Sequence, residues 1–278
     1  MNVSHVRMIV NADDFGYFDE VSRGILDAAA RGVVTATGVM ANGPALERWL
    51  DRLKATPALS IGVHLNATLG SPLTQSMRRC LVDSNGEFQA KSAFAAAVLR
   101  GQIPIPVTIA EWRAQIERCL QLGLTLTFLN SHEHVHMLPS LYRAVCALAA
   151  EFGIKHVRAP QPEWGPKLSI AGILRNAVFV AARVLTSHRR REPVLIGVSS
   201  SGKLDSAYCE WRLQRLKVGV TYELMCHPGW SDNVARRNPK FADYHDWEGE
   251  LRTLTGQRFA ELLHRHRIEL VSYVGLQL

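Results

Sequence analysis

The chain has 278 residues, 47% of them hydrophobic and 21% charged, which excludes a disordered or fibrous protein and fits one globular domain with a large core. The length also matches the roughly 250 residues of a single α/β barrel. The formal net charge is +7, and it is localised: eight basic residues and one acid, Glu163, lie between Lys155 and Arg191, while the remaining 24 basic and 24 acidic residues cancel. With 8% aromatics and the charge confined to one segment, a nucleic-acid face is not expected, because such a face spreads basic residues and interleaves rings.

Apolar runs alternate with helical patterns from the start. Met8–Asn11 reads as a buried strand, and Glu20–Arg31 as a helix with Val21, Ile25, Leu26 and Ala29 on one face, ended by Gly32. Ala36–Met40 predicts a strand, Ala45–Lys54 a helix and Leu59–Leu65 a strand. A Gly/Pro-marked loop spans Gly70–Phe88. A helix at Ile109–Leu122 then leads to a strand at Leu124–Asn130 and a helix at Tyr142–Phe152 with Ser140 as candidate cap. His156–Arg158 predicts a short strand, followed by a loop marked by Pro160, Pro162 and Pro166. Val194–Val198 predicts a strand, Asp205–Leu216 a helix, Thr221–Cys226 a strand, Glu248–Arg265 one long helix and Glu269–Tyr273 a last strand. This alternation implies an α/β fold with a parallel sheet and helices outside it, as a barrel or a doubly wound sheet. No repeat or linker divides residues 1–278.

Five cysteines, Cys80, Cys119, Cys146, Cys209 and Cys226, are widely spaced, with no CxxC pair, so neither a disulfide framework nor a zinc-thiolate site is expected. The first residues carry no secretory apolar region, and the longest apolar candidate, Leu168–Leu185, is interrupted by Arg175, Asn176 and Arg183. The expectation is a reducing, cytoplasmic setting.

Four polar clusters fall at predicted strand ends, where parallel-sheet proteins collect catalytic loops. They are Asn11-Ala-Asp13-Asp14-Phe-Gly16, Gly62-Val-His64-Leu-Asn66, Asn130-Ser-His132-Glu133-His134-Val-His136 and Met225-Cys-His227-Pro-Gly229. One Asp with two His is a ligand set for Zn²⁺ or a similar divalent ion that leaves positions open for water and substrate. The alternatives are plain: Asp13-Asp14 as a helix start, His64 as a hydrogen-bonded histidine, His227 as a brace for a turn. The triple His would place three imidazoles on one side of an extended chain, a poor core without a metal or carboxylate partner. Asp14-Phe15-Gly16 spells a kinase motif but lacks the other kinase signatures. His132-Glu133-x-x-His136 fits the zinc-peptidase pattern, which requires a helix; the strand before it and Pro139 after it leave little room for one.

In this order the four clusters resemble the motifs of the YdjC-like carbohydrate deacetylases of the ChbG/HpnK type, and Asn130 resembles the hopanoid-associated HpnK-like branch. The resemblance covers residues 11–229. It implies a (β/α) barrel, incomplete or irregular, related to polysaccharide deacetylases, and one divalent metal, Mg²⁺ or Zn²⁺, held by Asp14, His64 and His132. It also implies Asp13 as base, and Arg158 by analogy as the residue that orients it. The family at large commonly carries an Asp and a further His where this chain has Asn130 and Glu133.

Amide hydrolysis needs an activated water, an oxyanion sink and a proton for the leaving amine. His227 is the candidate acid, with His134 and His136 as competitors. Arg158, Asn66, His134 and His136 are the candidate substrate contacts. The expected reaction removes acetyl from an N-acetylated amino sugar, either a chitooligosaccharide or a lipid-linked conjugate. The rivals are a zinc peptidase using His132, Glu133 and His136, and a non-catalytic, metal-dependent carbohydrate-binding barrel. The basic, partly amphipathic stretch at 155–191 is expected to pack on the barrel or form a homodimer contact; the alternative is peripheral contact with the inner face of a membrane.

Overall fold

The computed structural model describes residues 5–80, 85–159, 161–165, 169–185, 192–231 and 244–276. Its strands are β1 (Val6–Phe15), β2 (Ala36–Val39), β3 (Ser60–Leu65), β4 (Leu126–Ser131), β5 (His156–Val157), β6 (Val194–Ile196), β7 (Thr221–Cys226) and β8 (Ile268–Leu270). All pair in parallel, in the order β5-β4-β3-β2-β1-β7-β6. β8 pairs with the start of β1 at Val6–Met8, and β2 takes over from Asn11. Among the described residues no ladder joins β5 to β6, so the sheet is a half-barrel open between them, the incomplete (β/α) barrel that the family resemblance implies.

The helices are α1 (Asp19–Ala30), α2 (Leu46–Lys54), α3 (Gln75–Arg78), α4 (Lys91–Leu99), α5 (Ile105–Gln121), α6 (Pro139–Glu151), α7 (Ile170–Leu185), α8 (Ser206–Leu213), α9 (Trp247–Thr255) and α10 (Gln257–Arg265). β1 is buried almost throughout, as a central parallel strand covered on both faces must be. α1 buries Val21, Ile25 and Ala28 in the main core with Met8, Val10 and Phe15 of β1. Gly24 of α1 faces Gly229 so closely that a Cβ on Gly24 would lie 2.4 Å from the Gly229 Cα. The loop after β7 therefore lies directly on the α1 backbone, which only glycine permits.

Several expectations shift. β1 does not stop at Asn11 but continues through both aspartates to Phe15. α6 starts on Pro139, whose missing N–H costs nothing in a first turn, so Ser140 is inside the helix and Leu138 is the cap position. α4, rich in alanine, lies where no helix was expected, because alanines give no apolar stripe to read. The long terminal helix is two helices, broken where Gly256 adopts an extended ψ of 153°. Of the basic segment, Pro160, Pro166–Leu168 and Thr186–Arg191 lie outside the described residues.

Candidate metal and catalytic site

Consecutive residues of a regular strand point to opposite faces, so Asp13 and Asp14 would ordinarily diverge. Here the β1–β2 register slips between Ala12 and Phe15, and Asp14 adopts φ 71°. This bulge spends one residue in the left-handed region, a conformation that Asp tolerates better than most, and turns both carboxylates into one cavity. The two aspartates are thus the end of a strand and not a helix cap; α1 has Phe18 at its cap position.

β3 contributes His64 and the end of β4 leads to His132. Asp14 Oδ1 lies 3.1 Å from His64 Nε2 and 2.9 Å from His132 Nδ1. The donor atoms of all three residues fall within 4.8 Å of one another, and all three side chains are buried. β1 and β3 are separated by β2, where Gly38 leaves the space: a Cβ there would stand 3.1 Å from both Asn130 Oδ1 and the His64 Cβ.

The hydrogen-bond directions fix which His64 nitrogen faces Asp14. Asn130 Nδ2 donates to Asp13 Oδ1 at 2.8 Å, so Asn130 Oδ1 is left to accept from His64 Nδ1–H, also at 2.8 Å. His64 Nε2 is then the ring nitrogen that faces the Asp14 carboxylate. An Asp-His-His donor set with an outer hydrogen bond on one imidazole is suited to a divalent metal.

Asp13 belongs to a second network. Arg158 donates from Nη1 to Asp13 Oδ2 at 2.7 Å and from Nη2 to Oδ1 at 3.1 Å, and pairs with Glu223 Oε1 through Nε at 2.9 Å and Nη2 at 2.6 Å. Asn11 Nδ2 also donates to Glu223 Oε1, at 2.8 Å. Burial works against the Asp13 charge, but Arg158 and His64 outweigh it and hold the carboxyl below its ordinary range. Burial opposes the Asp14 charge too, and His132 and His64 hold it well below that range.

The triple His does not line one side of an extended chain. Residues His132–Met137 form a 3-10 turn in which Glu133 and His134 take φ of 51° and 59°, so the three rings diverge. His132 meets Asp14. His134 borders the cavity beside Phe179, with Nδ1 buried and without a hydrogen-bond partner among the described residues. His136 is fully buried: Nδ1 meets Ser131 Oγ, and Nε2 lies 3.0 Å from the Arg158 carbonyl. Burial pushes the His136 imidazole down to about 3, so it braces Arg158 as a neutral ring. The same geometry removes the zinc-peptidase arrangement, since His132 and His136 share no helical face and Glu133 pairs with Lys91 at 3.4 Å.

Two other expected substrate contacts are equally enclosed. Asn66 is fully buried, its oxygen accepting from the amides of Thr68 and Leu69 and its nitrogen donating to Asn42 and the Leu69 carbonyl. Arg158 is spent on Asp13 and Glu223. Of the four, only His134 borders the cavity.

The cavity, about 820 Å³, is bounded by Asp13, Asp14, His64, His132, His134 and His227, with Phe179, Met225, Val178 and Leu174 forming an apolar wall. His227 follows β7; its amide donates to Glu250, and its Nδ1 has no hydrogen bond among the described residues, with Glu250 Oε2 4.0 Å away. His245 lies against the His227 ring at 4.8 Å and stacks on Trp247 at 5.3 Å. Burial lowers the His245 imidazole to about 3.

Sequence reasoning missed Asn11, Glu223 and His245. Glu223 left a signal, an acid inside the apolar strand Thr221–Cys226, which demands a buried cation. His245 left none, because it follows residues that no motif marks.

A parallel α/β half-barrel thus gathers two carboxylates, two imidazoles and a guanidinium at its strand ends, an arrangement able to hold a metal ion beside a second carboxylate. The chain matches the YdjC-like protein family over residues 7–265 and belongs to it. A carbohydrate deacetylase of Geobacillus stearothermophilus is 32% identical over 267 residues, which cover 95% of this chain and 96% of that protein. One from Vibrio cholerae serotype O1 (strain ATCC 39541) is 31% identical over 272 residues, covering 98% and 96%. Among solved structures, a protein of Enterococcus faecalis V583 assigned to cellobiose-phosphate cleavage superposes with a TM-score of 0.78 at 25% identity, covering 99% of this chain and all of that one.

Proposed function

We propose that the protein is a metal-dependent carbohydrate deacetylase that hydrolyses the N-acetyl group of an amino sugar. The observation that carries this reading is the convergence of Asp14, His64 and His132 beside an Arg158-held Asp13, with His227 on the same cavity. The relatives named carbohydrate deacetylases, matched over nearly their whole length, support it.

Asp14, His64 and His132 would hold a divalent metal, which would supply a Lewis acid for the acetyl carbonyl and bring the pKa of a water down towards neutrality. Asp13 is the base. Its Oδ2 accepts from Arg158 alone among the hydrogen bonds described, which leaves a lone pair for a proton from water. Arg158 and Asn130 fix its direction. His227 is the acid that protonates the departing amine, with Glu250 Oε2 4.0 Å from its Nδ1. His134, with its free Nδ1 on the cavity, is the substrate contact. The apolar wall packs the sugar's carbon face or the group attached to it. Residues 1–278 act as one catalytic domain in this reading.

The test is acetate release from N-acetyl chitooligosaccharides and from lipid-linked N-acetyl amino sugars. Release that is lost on chelation and restored by Zn²⁺ or Mg²⁺ is the expected result. Metal binding without release from any of these substrates would leave the carbohydrate-binding barrel as the better account.

A further inference from the structure

α7 is amphipathic in an unusual sense, with apolar residues on both its inner and outer faces. Inward, Phe179 packs with Met137, Leu195, Val198 and Met225, and Asn176 binds the Glu163 carbonyl. Opposite them, at helical spacing, Ile170, Ile173, Leu174, Val180, Val184 and Leu185 are exposed, Ile170 by 79% and Val184 by 71%. The only charged residue among the exposed positions of α7 is Arg183. A contiguous apolar surface of this kind marks a contact that the isolated chain does not make.

We propose that this face docks the protein onto an anionic lipid bilayer. The charge around it selects the occupant. Lys167 precedes the helix in sequence, Arg183 lies on it, and Arg189, Arg190 and Arg191 follow, with no acid between Glu163 and Glu192. A second copy packed on this face would bring together two stretches of sequence that are each basic and free of acid from 164 to 191. A protein partner would more typically be gripped by aromatic anchors in pockets, whereas this surface is one convex helix bearing Ile, Leu, Val and Ala. An apolar helix face flanked in sequence by Lys and Arg is the pattern that lies in the interface of anionic membranes. Trp164, 52% exposed, adds an interfacial ring beside α7, where the neighbouring Glu163 carbonyl accepts from Arg175 and Asn176. Leu174 and Val178 also border the catalytic cavity, so docking sets its mouth at the lipid surface. The proposal stands on this surface and does not depend on the deacetylase reading.

The experiment sediments the full-length protein with vesicles of phosphatidylcholine alone and of phosphatidylcholine mixed with phosphatidylglycerol. Binding to the mixed vesicles only, released by high salt, is expected. The double variant Ile170→Asp/Val184→Asp should lose about tenfold or more in partitioning, with an unchanged unfolding temperature. Failure to bind either vesicle at low salt, or undiminished binding by the double variant, overturns the proposal. So does a wild-type dimer that the double variant turns into a monomer, which would assign the face to a second copy.

Discussion

Two carboxylates, Asp13 and Glu223, share the Arg158 guanidinium in a setting where all three side chains are buried. Breaking a buried pair costs more than the pair is worth, because the remaining charges lose their partner. Arg158→Met is therefore expected to destabilise the protein by about 3–5 kcal/mol in urea unfolding and to abolish turnover. Asp13→Asn keeps the shape and should lower kcat by about 10²–10⁴-fold while leaving metal content intact. The same carboxyl sets an acid limb. Its folded-state pKa lies below the ordinary value, so its contribution is fully present above about pH 5 and is lost as pH falls through the folded value. The stability gap between wild type and Asp13→Asn should accordingly be flat near neutrality and narrow on acidification. At this scale the sequence was legible where chemistry-bearing residues cluster, as at Asp13, Asp14, His64, His132 and His227. It was not legible where function depends on direction: His136 and Asn66 carry the same side chains as a ligand or a substrate contact, but the turn at Glu133–His134 and the loop after β3 bury them.

The elements place these residues through departures from regularity. A strand without the slip between Ala12 and Phe15 would send Asp14 to the face opposite Asp13, and periodicity gives no warning of such a bulge. The contact of Gly24 with Gly229 is likewise invisible in sequence, since it joins a helix to a loop about two hundred positions away. Gly24→Ala forces α1 and the loop carrying His227 apart and is expected to cost about 1–3 kcal/mol in stability, with kcat reduced more than KM is raised. Circular dichroism melting and steady-state kinetics on the one variant check both. The alternation of strands and helices was readable because buried parallel strands are short apolar runs; α4 and the break at Gly256 were not, because alanine runs lack a stripe and a single glycine is compatible with a continuing helix.

Across the whole molecule, the candidate metal site joins β1, β3 and the turn after β4, so a bound ion would clamp one side of an open half-barrel. Zn²⁺ or Mg²⁺ at about a hundred times its Kd should stabilise the fold by about 2.7 kcal/mol, read as a raised unfolding temperature that His64→Ala and His132→Ala each remove. Asp14 and His132 are 118 positions apart in the chain, and Asp13 and Arg158 are 145 apart. Parallel pairings of that separation form slowly, since loop closure must precede the contacts that reward it. The site therefore has no existence until β1, β3 and the turn after β4 have met; before that, Asp14 is one more exposed acid. Metal uptake during refolding would report the meeting of these three elements, and a nascent chain emerging from the ribosome could not sequester an ion before nearly half its length has been made.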